Sequence, residues 1–478
     1  MNRIRINILL LLLCIFIPGV AQNVSDGWNK NRTARLTKPV FVYNNWSAYD
    51  ELSDNIPLDE ALAMKELDHI VRLKKLGVQV DYYMMDAFWF DVNEGYRKWR
   101  PDCWPEGPKR WLDACKREGI KPGLWFSTNL LRIGGEANTM KIIPEWESSV
   151  AEDGTTLCLF RGGYLHHLMQ TLQMYADMGI KMFKFDFAYF DAATPDAKCT
   201  MLPTDIEEQN KNAFISAIKE FRYRNPDVLF IGYNGFGGDM ENTVTPFRKT
   251  VDLRWLEIFD TMYCGDPRLS DVPMMNFWRS QDLYSDHMTF QYLFNGVPVR
   301  RIDNCAFMIG TTGTCYNRAL NAWKGMMILT MARGGWLNVC HGNIDLLSDD
   351  DARWMAKVQQ LYMKVQQYGS ISAFGAIPGK ALPYGYMAST EGGKLYTVVN
   401  ASQEKAKVML PEATGTGRVL FTDSGFMPVL EKNIVELGPE QMVVVGYGKF
   451  STREYDLGIE KDIVIPATKG KNRCAKEK

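Results

Sequence analysis

Lys184 and Asp186 sit in the run Lys181-Met182-Phe183-Lys184-Phe185-Asp186-Phe187, where charged and aromatic residues alternate as they do in a β-strand. Successive strand side chains point to opposite faces, so Met182, Lys184 and Asp186 share one face and Phe183, Phe185 and Phe187 the other. Helices packed outside a barrel can bury the phenylalanines, and the opposite face then carries an ion pair near the strand's carboxyl end. In a (β/α)8 barrel that end opens at the mouth, where catalytic groups gather. A carboxylate beside an ammonium is held ionised. A buried salt bridge with no chemistry attached would read the same way locally, so the rest of the chain has to decide.

Apolar strand-like runs at 39–43, 80–85, 121–126, 181–187, 228–232, 261–263, 306–309 and 336–339 alternate with helical periodicity at 58–76, 106–118, 163–178, 205–223 and 319–332. Eight strands with intervening helices predict a (β/α)8 TIM barrel over residues 36–370. After a helical pattern at 348–368 the texture changes to short β runs punctuated by Gly and Pro. These predict a small C-terminal antiparallel β-sandwich domain over 371–466, followed by a polar tail at 467–478.

Polar groups at the carboxyl ends of the predicted strands should meet at one mouth. They are Asn44-Asn45-Trp46, Asp86-Ala87-Phe88-Trp89, Trp125-Phe126-Ser127, Lys184 with Asp186, Tyr233-Asn234-Gly235, and the later segment Asn276-Phe277-Trp278-Arg279-Ser280-Gln281-Asp282. Aromatic walls, cations, amides and acids together suit a pocket for a polyhydroxylated ring.

Several of these pieces, in this order, resemble the clan D glycoside hydrolases, the α-galactosidase (melibiase) families 27 and 36. They are Asn45-Trp46, Met85-Asp86-Ala87-Phe88-Trp89, Gly123-Leu124-Trp125-Phe126, Lys184-x-Asp186, Asn276-x-Trp278-Arg279 with Asp282, Ile302-Asp303 through Gly310, and Gly342 through Asp349. The resemblance implies a retaining hydrolase that releases terminal α-linked galactose by double displacement. Asp186 would be the nucleophile and Asp282 the acid/base, their carboxyls about 5 Å apart. It further implies Trp46 and Trp125 as ring contacts and Asp86, Lys184, Asn234 and Arg279 as substrate-binding groups. A tryptophan at a strand end is equally a core residue, Arg279 could simply brace an acid, and Asp282 could cap a helix over 283–293.

Two departures from the family pattern bear on function. The spacing from Arg279 to Asp282 is one residue short, which brings Gln281 into that position and leaves Asp286, Asp266 and Asp260 as competing acids. The family's paired acids on strand two are here Met85 and Asp86, so one hydroxyl grip is absent, and Asp81 or Asp91 would have to compensate. A different clan D specificity therefore stands beside galactose: β-L-arabinopyranoside, α-N-acetylgalactosaminide or a modified galactose. A glycan-binding protein on a degenerate barrel is the reading from another class.

The chain of 478 residues carries 55 Lys and Arg against 56 Asp and Glu, which gives no support for a nucleic-acid partner. Five histidines, two of them adjacent at His166 and His167, argue against a histidine-built centre, so no catalytic metal and no cofactor are expected. The resemblance implies a carbohydrate substrate as the partner. Residues 1–21 have the charged, apolar and small-residue sections of a signal peptide, predicting export to the periplasm or beyond, and no later run offers a membrane span. The ten cysteines have no zinc-like spacing, although Cys103 and Cys115 could bridge.

Overall fold

The computed structural model describes residues 35–46, 58–87, 89–133, 138–237, 251–265, 277–309, 323–423 and 426–460. The expected signal peptide and polar tail lie outside the described residues, as do Phe88, Asp266, Asn276 and Gly310. Eight strands, β1 Val40–Asn44, β2 Tyr82–Met85, β3 Lys121–Ser127, β4 Met182–Asp186, β5 Leu229–Gly232, β6 Thr261–Tyr263, β7 Ile302–Ile309 and β8 Leu337–Gly342, close in sequential order into a parallel barrel. The described helices are α1 Glu60–Lys75, α2 Lys109–Arg117, α3 Tyr164–Met178, α4 Pro195–Thr200, α5 Pro203–Arg224, α6 Phe277–Leu283, α7 Ser285–Phe294, α8 Trp323–Ala332 and α9 Asp349–Tyr368.

Local chemistry explains these elements. The Asp59 carboxylate accepts the Leu62 N–H at 2.7 Å and starts α1, whose Ala63, Leu67, Ile70 and Leu73 recur at helical spacing and are buried. Arg72, Lys74 and Lys75 stand in its last turn, where the helix dipole favours cations. On β4 the alternation works as expected: the Phe183 ring meets Phe221 of α5 at 6.0 Å and Phe185 meets Phe214 at 5.4 Å, which turns Lys184 and Asp186 inward. Gly123 of β3 leaves room inside the barrel, since a Cβ there would come within 2.8 Å of Met84 and 3.2 Å of Met182.

Phe187 does not join the outer face with Phe183 and Phe185. Its φ of +50° ends the strand in a left-handed turn, and its ring lies edge-on to Trp125 at 6.0 Å.

Beyond the barrel come β9 Ser370–Gly375, β10 Tyr384–Thr390, β11 Gly393–Asn400, β12 Ala406–Met409, β13 Arg418–Thr422, β14 Val429–Glu431, β15 Ile434–Leu437, β16 Gln441–Gly448 and β17 Gly458–Ile459. They form a six-stranded sheet, β17-β13-β16-β11-β10-β9, and a three-stranded sheet, β12-β15-β14, antiparallel throughout except at the β13–β17 edge. Val398, Val443 and Val445 of the large sheet pack with Val408, Val435 and Leu437 of the small one, so the two form a sandwich. Tyr384 and Tyr386 of β10 reach across to the barrel and donate to Asp286 of α7 at 2.6 and 2.7 Å. Cys103 and Cys115 are both buried thiols rather than the two halves of a disulfide.

Candidate active site

Asp186 stands at the carboxyl end of β4 with both oxygens engaged. Its Oδ1 accepts three N–H groups: the Phe187 backbone at 2.9 Å, the Asn234 backbone at 3.2 Å and Asn234 Nδ2 at 2.8 Å. Its Oδ2 accepts the Trp125 indole N–H at 3.2 Å. Burial pushes the Asp186 carboxyl above the usual range, while the Lys184 charge and the bonds from Asn234 and Trp125 pull it back. The left-handed turn at Phe187 aims its N–H at the carboxylate it follows. Gly235, with φ +95°, lets the loop after β5 pass close to Ala188 and present Asn234.

Lys184 donates to Asp86 Oδ2 at 2.8 Å, with both side chains buried, and its ammonium lies 4.1 Å from the centre of the Tyr233 ring and 6.0 Å from that of Trp46. Trp46 meets His341 edge-on at 5.7 Å. Burial and the neighbouring Lys184 push His341 down to about 3, so it is a neutral ring at physiological pH. Asn45 Oδ1 accepts the Asp86 backbone N–H at 2.8 Å, and Asn45 Nδ2 donates to Glu66 Oε2 and to Met85 Sδ, both at 3.3 Å. Six of the eight expected site residues, Trp46, Asp86, Trp125, Lys184, Asp186 and Asn234, thus belong to one cluster.

Arg279 and Asp282 form a separate pair on α6. The Asp282 carboxylate accepts from Arg279, from the Gly379 N–H at 2.7 Å and from the Ala381 N–H at 3.0 Å, so it faces the loop between β9 and β10. None of these bonds involves the Asp186 cluster. Burial pushes the Asp282 carboxyl up against those donors and the Arg279 charge. Asp282 lies within α6 rather than capping the next helix, because α7 begins only at Ser285.

The competing acids are committed elsewhere. Asp286 is buried against Arg333 at 2.8 Å as well as the two tyrosines of β10. Asp260, just before β6, accepts from Arg222 and from the Phe230 N–H near the amino end of β5. Asp81 accepts from the Phe41 N–H at 2.8 Å, also away from the carboxyl ends of the strands, and Asp91 holds Asn93 in an exposed turn. Gln281 is buried and accepts from Arg333 at 3.3 Å.

Glu66 and His341 were not among the expected site residues, and Tyr233, expected at the mouth, carried no assigned role. Tyr233 directly follows a predicted strand, which was the available signal. His341 was hidden because β8 runs to Gly342, three residues past the expected end. Glu66 reads locally as any polar helix position. Among the described residues no three of His, Cys, Asp and Glu come together so as to hold a metal ion.

The closed parallel barrel followed by an antiparallel sandwich is a fold found among solved α-galactosidases. The sequence matches no protein-family model. It is similar to the α-galactosidase Mel36A of Lactobacillus acidophilus, 26% identical over 220 residues that cover 42% of this chain and 28% of that protein. The galactosidase domain of the α-galactosidase–sucrose kinase AgaSK superposes with a TM-score of 0.58 at 14% identity, over 86% of this chain and 55% of that one. The α-galactosidase from Lactobacillus brevis gives 0.59 at 12%, over 87% and 56%. The family 36 α-galactosidase AgaA of Geobacillus stearothermophilus, in complex with raffinose, gives 0.56 at 13%, over 86% and 56%. The chain therefore spans little more than half the length of these structures and less of the curated relative. The resemblance to α-galactosidases is borne out as partial sequence similarity to one of them and as a shared fold.

Proposed function

We propose that the chain is a retaining glycoside hydrolase that releases terminal α-linked galactose from oligo- or polysaccharides, with Asp186 as nucleophile and Asp282 as acid/base. The observation that carries the reading is the clamp on Asp186. Three N–H donors hold Oδ1, so Oδ2, which among the described residues accepts from the indole of Trp125, is the oxygen left to attack the anomeric carbon. As the Asp186–carbon bond forms, the glycosidic bond breaks and the leaving oxygen takes the Asp282 proton. Water then displaces Asp186 and returns a proton to Asp282. The raised Asp282 carboxyl suits proton donation. Lys184, Asp86 and Asn234 would hold sugar hydroxyls between the Trp46 and Trp125 rings, with Arg279 at the leaving-group side.

Two observations favour other readings. Asp282 is held by the β9–β10 loop, which favours a site that binds a glycan without turning it over. Met85 is fully buried with its sulfur on Asn45, so the missing acid has no replacement on β2, and this favours a ring with an altered hydroxyl. The leader-like residues 1–21 support export, which the amino-terminal sequence of the mature protein tests.

Hydrolysis of aryl α-galactoside, α-N-acetylgalactosaminide, α-glucoside and β-L-arabinopyranoside by wild type, Asp186→Asn and Asp282→Asn tests the proposal. Turnover of one glycoside that both substitutions abolish upholds it. Turnover that survives Asp282→Asn moves the acid/base elsewhere, and sugar binding without any turnover establishes the binding protein instead.

A further inference from the structure

We infer that Glu66, on α1 outside the barrel, is a positioning residue for the mouth: it fixes the Asn45 amide and, through it, the Asp86–Lys184 pair. The inference deepens the reading of that mouth as a sugar site and rests on it. Glu66 is fully buried on the apolar face of α1 among Ala63, Leu67 and Ile70. A carboxyl group there is costly unless it is bonded or neutral. Its Oε2 accepts from the Tyr83 hydroxyl and from Asn45 Nδ2.

The two ends of the Asn45 amide are not interchangeable. Oδ1 accepts the Asp86 N–H, so Nδ2 must face the other way, toward Glu66 and the weakly accepting Met85 sulfur. Reversing the amide would set NH2 against the Asp86 N–H, donor against donor. The accepting oxygen of Glu66 therefore stabilises the orientation that holds the Asp86 backbone, and Asp86 presents its Oδ2 to Lys184.

Burial pushes Glu66 up to about 8, against the bonds from Tyr83, Asn45 and Tyr43, with Asp345 adding to the rise. The titratable groups facing it are Tyr43 of β1, Tyr83 of β2 and Asp345 in the turn Ile344–Leu346. Cys115 of α2 stands near Tyr83, and His69 of α1 stands near Asp345. With that value Glu66 is mostly neutral at pH 7 and becomes a buried anion beside Asn45 as pH rises through 8.

Glu66→Leu, which removes the acceptor and keeps the bulk, is expected to raise KM for the hydrolysed aryl glycoside about tenfold, the equivalent of one hydrogen bond, with kcat little changed. Glu66→Gln keeps a carbonyl acceptor and cannot ionise. It should match wild type at pH 7, and any change in KM that wild type shows between about pH 7 and 9 through ionisation of Glu66 should be absent from it. The solved structure of the leucine variant should show the Asn45 amide reversed or the Asp86–Lys184 contact lengthened. A wild-type KM with that contact intact in Glu66→Leu overturns the inference, as does a Glu66→Gln variant whose KM at pH 7 rises as far as that of Glu66→Leu. Should wild type neither cleave nor bind any sugar, the functional reading falls, and the structure of Glu66→Leu alone decides the positioning role.

Discussion

The chemistry converges on one carboxylate whose two oxygens are treated differently. If Asp186 is the nucleophile proposed above, with Oδ1 clamped and Oδ2 lightly held, Asp186→Asn should lower kcat/KM on the hydrolysed aryl glycoside by more than ~10⁴-fold. Residual activity near wild type would remove Asp186 from the mechanism. A nucleophile works ionised, and burial raises the titration of Asp186, so on the proposed reading the acid limb of kcat/KM should lie above the ordinary carboxylate range. Lys184 opposes that rise. Lys184→Met should therefore move the acid limb to higher pH, and a limb that stays in place would show that Lys184 does not set the charge state of Asp186.

At the scale of elements, the strand ends and their turns present the clamp. Phe187 and Gly235 both adopt positive φ, and each turn delivers an N–H donor to the same oxygen. A Cβ on Gly235 would stand 2.2 Å from the Ala188 carbonyl oxygen in a backbone region that L-residues avoid. Gly235→Ala should cost of order 1–3 kcal/mol in urea denaturation and should lower kcat by displacing Asn234. An unchanged denaturation midpoint would mean that the turn relaxes without strain.

For the whole molecule, buried ionisable groups fasten the sandwich to the barrel. Arg333 and Asp286 pair with no exposure of either side chain, and Tyr384 and Tyr386 reach the same carboxylate from β10. Arg333→Met leaves that charge unpaired and should destabilise the protein by ~3–5 kcal/mol, read by chemical denaturation. Asp423 joins the two parts through the Trp278 indole at 2.7 Å, and burial pushes its carboxyl up to about 7. Because that value exceeds the ordinary unfolded one near 4, the stability Asp423 contributes is complete below about pH 4 and is lost as pH rises through 7. Asp423→Asn should flatten the fall of Tm over that interval, and an unchanged slope would exclude Asp423 as its source.

The sequence by itself determined the barrel, the sandwich and most of the cluster around Asp186. Strands of a parallel barrel read as short apolar runs, and polar residues at their carboxyl ends stand out against them. Lys184 and Asp186 were legible because a two-residue alternation is a local signal. The tertiary structure alone decided what the polar atoms touch. Glu66 reaches Asn45 across 21 positions, Asp286 meets β10 residues about 100 positions away, and Asp282 binds loop amides 97 and 99 positions distant, toward the sandwich. Periodicity encodes which face a side chain occupies, whereas a hydrogen-bond partner is fixed only when distant segments pack, and for that reason the surroundings of Asp282 were not legible in the chain.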